Sequence, residues 1–65
     1  MTLRQQLQSE LAMYEATAAQ AQLEREWAEW IGDRLAAADC RRRERDAEGM
    51  LRSLERQLMS LGARE

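Results

Sequence analysis

The chain has no histidine, proline, lysine, valine, phenylalanine or asparagine, and one cysteine, Cys40. Each absence excludes something. A lone thiol closes no internal disulfide. Without histidine, one thiol and scattered carboxylates make a poor zinc set. No metal or cofactor is therefore expected, and neither is nucleophilic catalysis by a Cys–His pair. Without valine, and with few β-branched residues, there is little to build strands from. No apolar run approaches the ~18 residues of a membrane span. The N-terminus, Met1-Thr2-Leu3-Arg4-Gln5-Gln6, has no apolar core of a signal peptide, so a cytoplasmic protein is expected.

What remains is Ala, Leu, Glu, Gln, Arg and Met, the strong helix formers. The expected class is all-α. All 10 positive charges are arginine and the net charge is −2, which argues against a globally basic nucleic-acid binder. The arginine bias is of the kind found in high-GC bacterial and phage genomes. At 65 residues the chain forms one domain whose core is marginal. Such a chain usually needs a disulfide, a metal or a second subunit, and the first two are missing. A homodimer is expected.

Thr2 and Gln5 have the spacing of a capping box at the start of a helix. Leu3, Leu7, Leu11, Tyr14, Ala18 and Ala21 then recur with helical period. A second stripe, Ala12, Ala16, Ala19, Leu23, Trp27 and Trp30, lies nearly opposite. A helix with two apolar sides needs two neighbours: one is the second helix, the other a further chain. Gly32-Asp33 makes the break, glycine ending one helix and aspartate capping the next. A competing turn lies at Ala38-Asp39-Cys40. The Gly32 break gives helices over 3–31 and 33–61, each about 43 Å long. Ala36, Cys40, Ala47, Leu51, Leu54, Leu58 and Leu61 form the second helix's seam, with Gly62 stopping it. Residues 63–65 are expected to fray. The predicted fold is a two-helix antiparallel hairpin that dimerises into a four-helix bundle.

Candidate functional residues each have a bland alternative. Trp27 and Trp30 share a helix face and would serve as a binding anchor with Tyr14 and Leu23, rimmed by Arg25 and Arg34; alternatively they plug the turn end of the hairpin. Arg34, Arg41, Arg45, Arg52 and Arg56 line one face of the second helix. They form either a basic ridge for RNA or an acidic surface, or a solvated face neutralised by Asp39–Arg43, Arg42–Asp46, Arg45–Glu48 and Arg52–Glu55 pairs. Cys40 is either a buried inert thiol or a site for an intersubunit disulfide. Met13, Met50 and Met59 are adaptable contacts or scatter. Two helices close no substrate pocket, so no enzyme is expected.

Three resemblances follow from these residues. Trp30-Ile31-Gly32 at the turn resembles the Trp-x-Gly motif of secreted WXG helical hairpins, which would imply a secretion-system partner or chaperone; the Tyr-x-x-x-Asp/Glu export signal of that family is missing. The hairpin layout is similar to that of the plasmid copy-number regulators, whose dimeric four-helix bundles bind paired RNA loops. In size, helical composition and arginine bias the chain resembles small phage-encoded inhibitors of host regulators, of the quorum-sensing anti-activator type. That resemblance implies a non-enzymatic module that blocks a bacterial transcription activator, or a pilus-assembly ATPase, by steric occupation.

Overall fold

The computed structural model describes residues 1–64. Two helices, α1 (Leu3–Ile31) and α2 (Arg34–Arg64), pack along their whole length as a hairpin. No strand occurs among the described residues. The molecule is a ribbon of 50 × 17 × 11 Å, one helix layer thick.

Local chemistry sets both ends of α1. The Thr2 hydroxyl accepts from the Gln5 backbone N–H at 3.2 Å, and the Gln5 side chain accepts from the Thr2 N–H at 2.9 Å. This is the capping box that the sequence spells. At the other end Gly32 adopts φ 81°, the left-handed conformation. The Gly32 N–H bonds the Glu29 carbonyl at 3.2 Å and the Asp33 N–H bonds the Ala28 carbonyl at 2.8 Å, the Schellman pattern. Asp33 then starts α2 by accepting from the Ala36 N–H at 3.1 Å. The turn at Ala38-Asp39-Cys40 does not form, because all three residues lie within α2.

Two details depart from the sequence expectation. The second helix does not stop at residue 61. It runs on through Gly62, whose φ is not positive, to Arg64. Glycine permits a left-handed stop but does not enforce one, and Ala63 and Arg64 favour continuing. Ala63 and Arg64 are thus helical rather than frayed, while Glu65 lies outside the described residues. The α2 seam passes through Ala37, which is buried, rather than Ala36, which sits half-buried on its flank.

The core is Leu7, Ala21 and Ala28 of α1 against Ala37, Cys40, Ala47 and Leu54 of α2. Small residues near the turn let the backbones approach, and leucines fill the open end. Four of the seven are alanine, so the apolar area removed from water is small for the chain length.

Gly32 and Gly49 make a paired prediction. Neither would place a Cβ within 4 Å of other atoms, so only backbone conformation matters. Gly32→Ala should destabilise by about 1–2 kcal/mol, since its φ is left-handed. Gly49→Ala, in mid-helix, should stabilise by about 0.5–1 kcal/mol. Chemical denaturation of the two variants checks both signs.

Candidate interaction surface

The inter-helix seam follows an unbroken spacing of three and four residues. On α1 it runs Leu7, Leu11, Tyr14, Ala18, Ala21, Arg25 and Ala28; on α2 it runs Ala37, Cys40, Glu44, Ala47, Leu51, Leu54, Leu58 and Leu61. Two of these positions are charged, and they face one another. The Arg25 Nε bonds both Glu44 oxygens, at 2.9 and 3.2 Å, with 25% and 15% of the two side chains exposed. Arg25 also reaches Glu29 at 3.2 Å, and Glu29 receives Arg41 at 2.8 Å. Arg25 is therefore a seam residue and not the rim of a binding anchor. Tyr14 likewise sits half-buried on the seam, about 20 Å along the helix from Trp27.

The ribbon has two unlike sides. One carries the Arg25–Glu29–Arg41 cluster, and its groove is lined by Glu29, Gly32, Arg34, Ala37 and Arg41. Arg34 lies here, away from the tryptophans. The other side carries two grooves that meet at Arg43. One is lined by Leu23, Trp27, Ile31, Ala36 and Cys40, the other by Met13, Ala16, Thr17 and Gln20. Ala16, Leu23 and Trp27 of the expected second stripe line these grooves, and all six residues of the stripe are exposed.

Trp27 and Trp30 stack on each other with ring centroids 5.4 Å apart and planes at 26°. They are 61% and 78% exposed, so neither plugs the hairpin. Leu23 and Ile31 line the same groove as Trp27; both are exposed, as is Leu35 just past the turn. Of the anchor drawn from the sequence, Leu23, Trp27 and Trp30 come together; Tyr14, Arg25 and Arg34 do not. Ile31 extends this apolar patch, and its place beside the turn is visible in the sequence.

Where the apolar side meets α2, Glu24 accepts from Arg43 at 2.9 Å and from the Gln20 amide at 3.1 Å. The Gln20 amide and then the Arg43 guanidinium hold the Glu24 carboxyl below its ordinary 4.5. Hydrogen bonds from Arg41 and then Arg25 do the same for Glu29. In return Glu44 and Glu29 raise the Arg25 pKa, and Glu24 raises that of Arg43. Glu24 and Glu29 thus release protons more readily folded than unfolded. Their stabilisation is complete above about pH 4.5 and is lost as the pH falls through their lower folded values. With no histidine, the unfolding temperature should be flat from pH 6 to 8 and fall in acid. Glu29→Gln should remove part of that fall, as thermal melts across pH 3–8 would show.

The basic ridge is broken. Arg41 is taken by Glu29, and Glu48 and Glu55 interrupt the row. The expected Arg42–Asp46, Arg45–Glu48 and Arg52–Glu55 pairs do not close. Arg42 instead bonds Asp39 at 2.6 Å, and Arg43 bonds the same residue at 3.3 Å. In both of these the acid precedes the base, the better order on a helix. Arg45, Arg52 and Arg56 are exposed without an ion-pair partner among the described residues. Cys40 is buried and receives a hydrogen bond from Arg43 at 3.2 Å. Its sulfur is not presented to another chain, so the intersubunit disulfide has no exposed thiol to form on. No helix is long and apolar enough to cross a membrane among the described residues. Comparison with protein-family profiles, curated proteins and solved structures finds no match.

Proposed function

We propose that the protein is a non-enzymatic interaction module, a helical hairpin that dimerises into a four-helix bundle and binds through the apolar flank of α1. One observation carries this: a stacked, exposed tryptophan pair stands on a flank with no charge at Ala12, Met13, Ala16, Ala19, Gln20, Leu23, Trp27, Trp30 or Ile31. Leaving so much apolar surface in water is unfavourable for a solitary chain and is typical of a binding site. Tryptophans bury large area with few rotors to freeze, which suits an anchor. The steric form of the proposal is a cytoplasmic inhibitor that occupies an apolar surface of a bacterial regulator, such as a quorum-sensing activator or an ATPase. Helical size and composition support that form.

The test uses Trp27→Ala and Trp30→Ala. Both side chains lie outside the core, so the variants should keep the helical signal of the parent. Each should weaken binding to a protein partner captured from bacterial lysate by about 30-fold or more, the loss expected of a hot-spot residue. Unchanged affinity in the folded double variant would show that the anchor lies elsewhere.

A further inference from the structure

We infer, resting on the dimer proposed for this chain, that the apolar flank of α1 is covered by the same flank of a second copy, the two α1 helices running antiparallel about a twofold axis beside residue 21. Three observations point to this occupant.

The first is size complementarity along the stripe. Its first half is small (Ala12, Ala16, Ala19) and its second half large (Leu23, Trp27, Trp30). Ala12 precedes residue 21 by nine positions and Trp30 follows it by nine. Ala19 and Leu23 stand two positions either side, and Ala16 and Trp27 five and six. A twofold axis there lays each large residue of one copy on a small residue of the other, twice over. Facing large on small is how packed helix layers interdigitate. A twofold interface must be self-complementary in this way.

The second is area. The hairpin exposes 5065 Å². A folded monomer of 7.6 kDa is expected to expose about 4,300 Å². The surplus of about 800 Å² matches what one subunit buries in a standard interface. The stripe is left without a neighbour by the hairpin, and pairing with a second copy supplies one.

The third is charge. The stripe itself carries no ionised side chain, so its contact with a second copy buries no charge; the exposed Glu15 and Glu26 beside it would fall at the rim, where solvent and salt screen their repulsion. The outer face of α2 sets Arg34, Arg45 and Arg52 among Glu48 and Glu55, and pairing there would take ionised groups out of water. It follows that any other protein bound at Trp27 and Trp30 competes with the second copy.

The test mixes two full-length chains in a Cys40→Ala background, one carrying Ala12→Cys and the other Trp30→Cys, under mild oxidation. The expected result is a disulfide-linked dimer containing one chain of each kind, with the 12–30 bond identified by peptide mass spectrometry. Either chain alone should stay unlinked, because like positions are about 27 Å apart along the antiparallel pair, beyond disulfide reach. Ala19→Glu, exposed in the hairpin, should weaken the dimer at least about tenfold by burying an unpaired charge. Ala38→Glu, on the opposite side, should leave it unchanged. A dimer by sedimentation that gives no 12–30 bond, or that tolerates Ala19→Glu but not Ala38→Glu, overturns this pairing and leaves the dimer standing. A folded monomer at 100 µM, on the order of a hundred times a micromolar dimer constant, overturns both.

Discussion

Leu54→Ala should remove about 3 kcal/mol of stability, within the range for truncating a buried leucine. Leu54 is 2% exposed, at the leucine-rich end of the seam. A chain of this length has only about 3–10 kcal/mol in total, so the variant should lose most of its helical signal by about 37 °C. The effect is large because the rest of the core cannot absorb the loss. Four of the seven buried residues, Ala21, Ala28, Ala37 and Ala47, are already alanine, and Leu7 is the one other leucine among them, so this truncation removes a large share of the buried apolar volume. Leu35→Ala is the matched control. Leu35 is 86% exposed and its truncation should change stability by less than about 0.5 kcal/mol. Urea denaturation of both variants distinguishes a core leucine from a surface one. A Leu54→Ala change below about 1 kcal/mol would mean that α2 does not pack as described.

Arg25 and Glu44 should behave as one unit. Arg25→Glu sets two carboxylates against each other in the seam and also repels Glu29; Glu44→Arg sets two guanidiniums together. Each single reversal should lower the unfolding temperature. The double reversal should recover much of the loss, because the pair is restored with opposite polarity. Recovery should be incomplete, since Arg25 also bonds Glu29, which bonds Arg41. Replacing both by leucine should raise stability, as exchanging an ion pair in a seam for packed apolar residues often does. That variant should be less faithful to one rotation of the helices, because a smooth alanine and leucine seam has no polar feature to set its facing. Additive losses in the charge-reversal cycle would show that the two side chains act independently.

These predictions separate residues that the sequence alone treats alike. Arg25 lies among glutamates on an amphipathic helix, and its type argues for the surface. Its place in the three-and-four spacing argues for the seam. Glu44 stands at the matching gap between Cys40 and Ala47. The unbroken spacing through both was the legible signal. That they pair could not be read, because the chain separates them by 19 residues and the meeting depends on how far the hairpin closes. Trp27 and Trp30 show the same ambiguity in reverse. Spacing puts them on one face, but a tryptophan on a helix face suits a core as well as a docking surface. Tyr14 and Arg34 suit the same anchor as residue types, but distance along the helix and side of the ribbon part them from the tryptophans.

The sequence by itself determined the helices, the capping box at Thr2 and Gln5, the left-handed turn at Gly32 and the two apolar stripes of α1. These are properties of neighbours within about four residues of one another, and helix geometry makes them local. Only the tertiary structure decided which stripe the hairpin uses. Ala21 and Ala28 let α2 approach closely, where two indoles would hold it off. The stripe through Leu7, Leu11, Tyr14, Ala18 and Ala21 therefore closes the fold, Arg25 reaches Glu44 across it, and the tryptophans are left outside.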